Sequence, residues 1–88
     1  MLDQLEEISR VELPSGDVAI VGRIKGRHIT KAGQLMGGDQ SKYMVALMHL
    51  SVMIGGSQQP IEFYEDLDAG PFMAIQEEIG KQFEGKNP

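Results

Sequence analysis

Val11-Glu12-Leu13-Pro14-Ser15-Gly16-Asp17-Val18-Ala19-Ile20-Val21 is the stretch on which the fold turns. From Arg10 to Leu13 polar and apolar side chains alternate, the period of a strand with one buried face. Pro14 presets the backbone of a turn and Gly16 admits a positive φ, so the chain reverses direction here. Beyond the turn Val18, Ile20 and Ile24 lie at even spacing, with Ala19, Val21, Arg23 and Lys25 on the opposite face. The pattern predicts a β-hairpin, and Gly22 inside its second strand marks a bulge or a close backbone approach.

Upstream, Leu2, Leu5 and Ile8 stand among acids and read as a fraying helical turn or a flexible lead-in. Downstream, Ile29, Ala32, Leu35 and Met36 share one face of a helix running from near Arg27 to Met36. Gly37-Gly38 supplies its stop, and Asp39 a cap for the next helix. That helix is expected over Gln40 to Ile54, ended by Gly55-Gly56-Ser57. Pro60 and the Ile61-Glu62-Phe63 alternation offer a third short strand to the hairpin. The last helix begins near Asp68 or Gly70 with Pro71 in its first turn, where a missing amide does no harm. Phe72, Ile75, Ile79 and Phe83 form its apolar stripe. The expected fold class is α+β: a small single domain, residues 1–88, with an N-terminal β-hairpin followed by two or three α-helices. Its ordered core spans about residues 10–83, with flexible ends at 1–8 and 84–88.

Composition bounds the function. A chain of 88 residues without cysteine has no disulfide staple and no thiolate for metal or catalysis. The acidic start is unlike a signal peptide, and no apolar run approaches the roughly 20 residues that span a bilayer. The expected compartment is the cytoplasm, with no membrane partner. Net charge is −5, with 13 acidic against 8 basic residues. Duplex binding needs a cationic face to displace counterions, so the balance argues against nucleic acid, although five of the basic residues fall between Arg23 and Lys42.

The Gln40–Ile54 helix is apolar nearly all round. Tyr43, Ala46, Leu47, Leu50, Met53 and Ile54 fall in one arc, a core face; Met44 and Met48 lie beside it, and Val45 and Val52 on the far side. A helix of this kind is either central to the fold or covered by a partner. On that reading Met44, Val45, Met48 and Val52 are the candidate partner or oligomer surface. Met53 and Met73 are expected to fill the core, while flexible Met44 and Met48 suit an adaptable contact.

Chemistry is scarce. His28 and His49 have no metal-site spacing, Ser41 is in no nucleophile elbow, and the glycine pairs match no phosphate loop. The acids Glu62, Glu65, Asp66 and Asp68 lack the ligand spacing of a calcium loop and read as a solvated turn with a helix cap. An acyl carrier would need a serine after Asp68, where Ala69 stands. No catalytic residue, cofactor or metal is expected, and the chain reads as a non-enzyme.

The order of features resembles the tail assembly chaperones of long-tailed phages, in the group from Mu-like and P2-like contractile tails. The matching stretches are Val11-Glu12-Leu13-Pro14-Ser15-Gly16-Asp17, then Gly26-Arg27-His28-Ile29-Thr30-Lys31-Ala32 leading to Leu35-Met36-Gly37-Gly38-Asp39. The last is Asp66-Leu67-Asp68-Ala69-Gly70-Pro71-Phe72-Met73-Ala74-Ile75-Gln76. His28 stands where such proteins often carry an acid, and Gly70-Pro71 replaces a more helical pair. The resemblance implies a cytoplasmic, oligomeric protein that escorts the long helical tape-measure protein during tail morphogenesis, and a longer form made by frameshifting. The alternative is a small homo-oligomeric adaptor, or another prophage structural component without chaperone activity.

Overall fold

In the computed structural model, which describes residues 6–84, the hairpin is β1 (Glu7–Glu12) and β2 (Val18–Gly22), with Val11 opposite Ala19 and Glu12 opposite Val18. The Leu13 amide donates to the Asp17 carbonyl and the Gly16 amide to that of Leu13, both at 2.9 Å. Gly16 closes the loop at φ 97°, a conformation that an L side chain resists. One residue is inserted in β1 between Glu7 and Ser9, opposite Gly22 and Val21, which is the irregularity a strand glycine signals. The lead-in expected over residues 1–8 is therefore strand from Glu7 onward; its first five residues, and the tail after Glu84, lie outside the described residues.

Helix α1 (Gly26–Leu35) lies within a residue of its predicted bounds. Asp39 caps a single 3-10 turn (Gln40–Lys42), its carboxylate accepting from the Ser41 amide at 3.1 Å. The helix expected to run on to Ile54 does not: α2 (Tyr43–Ser51) stops and the chain continues as strand β3 (Val52–Ile54). Val52 and Ile54 are β-branched and face one side of a sheet, and Val52 is already extended at φ −126°, ψ 136°. Gly55-Gly56 is then not a helix stop but a two-residue hairpin turn, with φ 62° and 83°, into β4 (Ser57–Gln58). The third strand is thus β3 and not Ile61-Glu62-Phe63, which lies in α3 (Ile61–Glu65) with Pro60 as its N-cap. Proline without an amide suits that position and would leave a gap in a ladder. Helix α4 (Ala69–Glu84) completes the chain.

The sheet is fully antiparallel in the order β1-β2-β3-β4. Its core face carries Val11, Ala19, Val21, Val52 and Ile54, which pack with Val45 and Met48 of α2, Tyr64 of α3, and Ile75 and Ile79 of α4. A second cluster joins Ala46 and Leu47 of α2 to Ala32 of α1. Helix α2 is therefore sandwiched, with the sheet and α4 on one side and α1 on the other, which is why its sequence is apolar all round. The α+β class holds, with four strands and four helices among the described residues.

Candidate functional site

The sandwich around α2 removes most of the expected partner surface. Met48 and Val52 are fully buried and Val45 is 7% exposed, so all three are core of a single chain. Val52 is not even on the helix. Only Met44 keeps partial exposure. The methionines exchange roles accordingly: Met48 fills the core, whereas Met73, expected inside, is 58% exposed.

Met73 and Met44 instead border an open groove of about 760 Å³ along α4. Its floor is short of side chains because Gly70, Ala74 and Gly80 fall on the same face as Met73 and Glu77. A methyl group added at Gly70 or Gly80 would meet nothing within 4 Å, so the packing of the described residues requires neither glycine. Gly80 nevertheless sits inside a helix, where glycine costs about 1 kcal/mol relative to alanine. The opposite face of α4 holds Ile75 and Ile79 in the core, with Phe72 half-buried against it, as the stripe predicts. Phe83 at its end is 49% exposed.

The groove's rim is acidic. Glu77 and Glu84 line it with Lys81, but the Lys81 ammonium donates to Glu78 at 3.0 Å, which raises the lysine pKa and lowers that of Glu78. The cation is thus already matched, and the two glutamates leave the rim net negative. Sequence reasoning missed this surface because it assigned Met73 to the core. The available signal is the repeat of Gly70, Met73, Ala74, Glu77 and Gly80 on the face away from Ile75 and Ile79.

A second surface left uncovered by the described residues is the outer face of the sheet. Ile20 and Met53 are directly paired across β2 and β3, flanked in the same row by Arg10 and Gln58. Both are half-buried, and neither belongs to a core cluster.

The polar residues singled out in the sequence have structural partners. His49 Nδ1 lies 2.8 Å from the Gln59 carbonyl and Nε2 lies 3.2 Å from the Gln58 side-chain nitrogen Nε2, tying α2 to the end of β4 and the residue after it. His28 Nδ1 accepts from the Lys25 amide at 2.9 Å, capping α1. Arg23 makes a two-pronged contact with Glu6 at 3.0 and 3.1 Å and Lys42 lies 3.9 Å from Glu65, so two members of the basic run are matched within the chain. Among the described residues no group of three or more His, Asp or Glu is placed to hold a metal ion, and no helix is long and apolar enough to cross a membrane. Compared with known proteins, the chain matches no family model, no curated protein and no solved structure.

Proposed function

We propose that this domain is a phage or prophage tail assembly chaperone, a cytoplasmic non-enzyme that holds the tape-measure protein until the tail tube polymerises around it. The motif order from Val11 to Gln76 supports the family, and one structural observation carries the mode of action: the open groove along α4, bordered by exposed Met73 and by Met44. Exposed methionine beside a floor of small residues gives an adaptable apolar seat for a client helix. Many copies along one long client gain avidity, so each contact stays weak enough for release.

Co-expression with a tape-measure protein of a contractile-tailed phage, followed by pull-down and light scattering, tests the reading. A soluble complex with several copies per client is expected. A chain that ignores that protein and forms only a discrete self-oligomer overturns it. The outer sheet face favours the second reading, a homo-oligomeric adaptor or other prophage structural component, because the paired Ile20 and Met53 offer an apolar spot for sheet-on-sheet packing between copies.

A further inference from the structure

We infer that the α4 groove is built for a basic amphipathic helix, one whose apolar stripe is flanked by lysine or arginine; this rests on the reading that the domain works by holding another protein. Shape sets the class of partner. The face from Gly70 to Glu84 is about 20 Å long at the rise of an α-helix, and it is open along its length. A small molecule is held by enclosure and by convergent polar groups. Here the floor is Gly70, Ala74 and Gly80 and the walls are thioethers, which is the relief that a ridge of side chains on a second helix fills.

Charge sets the sign. Lys81 donates to Glu78 and also lies in the field of Glu77 and Glu84, so one ammonium faces three carboxylates and the rim stays net negative. A partner helix with cations beside its apolar stripe matches this rim, whereas one flanked by acids is repelled at Glu77 and Glu84. A second copy of the same α4 face is the poorer fit on the same ground, since an antiparallel pair centred on the groove sets Glu77 against Glu77. The glycines agree. Gly80 weakens α4 and relieves no clash among the described residues, as expected where an outside backbone comes close.

The test uses the full chain and two synthetic helices of roughly 20 residues sharing one leucine–alanine stripe, the first flanked by lysine and the second by glutamate. Binding is followed by NMR through the Met44 and Met73 methyls and the Gly80 amide. The lysine-flanked helix is expected to shift those signals and to bind about tenfold more tightly than its acidic counterpart, with the gap shrinking at high salt. E77K/E84K should reverse the preference. G80L should fill the groove and weaken binding about tenfold while leaving thermal unfolding unchanged or raised. Equal binding of both helices, or shifts confined to Ile20 and Met53, overturns the inference. So does a G80L chain that binds as before. A tape-measure complex that survives both G80L and E77K/E84K also overturns it while sparing the chaperone reading. Groove binding of the basic helix without any tape-measure complex does the reverse.

Discussion

The Gln82 side-chain amide occupies the place of a missing strand beside Gly22: its Nε2 donates to the Gly22 carbonyl and its Oε1 accepts from the Ile24 amide, each at 2.9 Å and across about sixty residues of chain. Gly22 ends β2 and Ile24 lies in the link to α1, and a peptide-like side chain on α4 satisfies a backbone group of each. Gln82→Ala should therefore destabilise the domain by about 1–3 kcal/mol in urea denaturation, the cost of leaving partly buried backbone groups unpaired. The Ile24 amide should lose protection from hydrogen exchange more than its neighbours. Gln82→Glu keeps the acceptor and loses the donor, and should fall no lower than the alanine variant in Ile24 protection.

Met48 and Met73 should separate cleanly on truncation. Met48 is fully enclosed between the sheet and α4, so Met48→Ala should cost about 2–5 kcal/mol through lost contact and the cavity left behind. Met73→Ala, at an exposed site on a helix, should change stability by less than about 0.5 kcal/mol. Equal losses at the two positions would mean that Met73 is covered in the folded protein, and the groove would not be a free surface.

The same pair shows what was legible in the sequence and what was not. The hairpin follows from local chemistry: the alternation of Arg10 to Leu13, the fixed φ of Pro14 and the left-handed Gly16 all point one way. The core stripe Phe72, Ile75 and Ile79 follows from period alone, with α4 starting beside Pro71 as expected. Met48 was illegible because a helical wheel assumes one buried side, whereas α2 is packed on two. An apolar residue outside the main arc then looks like surface when it is core.

The boundary after Ser51 was lost for a different reason. Leu47 to Ile54 is a short apolar run that satisfies helix and strand periods alike, and only its flank can arbitrate. That flank is Gly55-Gly56, which ends helices and also makes two-residue hairpins. The resolving feature is non-local: Val52 and Ile54 find partners in Val21 and Ala19, more than thirty positions earlier. Of the candidate site, only Met44 was legible, since the α4 groove depends on which side of that helix the sheet covers.

Gly55 and Gly56 carry a prediction of their own. Both hold positive φ, at 62° and 83°, in the turn that pairs Ile54 with Ser57. Gly55→Ala should cost about 1–2 kcal/mol, the left-handed penalty of an L residue. Gly55→Asn should recover most of that loss, because asparagine tolerates this conformation and is favoured at the first position of such turns. Thermal unfolding of the two variants side by side checks the order. If alanine and asparagine behave alike, backbone conformation is not what the glycine supplies.

His28 should make the domain sensitive to mild acid. Its Nδ1 accepts from the Lys25 amide at the start of α1, a role that only an unprotonated nitrogen performs. Burial, and then the nearby Arg27 charge, lower its pKa from the ordinary histidine value near 6.5. The folded state thus binds its proton less readily than the unfolded chain, where the ordinary value applies. Stability from this group is complete above about pH 6.5 and declines as the pH falls through the lowered folded value. Protonation removes the acceptor and leaves the Lys25 amide without its cap. Glutamine at this third helical position is a common capping residue that does not titrate. His28→Gln should therefore match the wild-type domain at pH 8 and exceed it at pH 5.5. Denaturation midpoints across that interval decide the matter: parallel curves for the two proteins would show that the loss below pH 6.5 arises elsewhere.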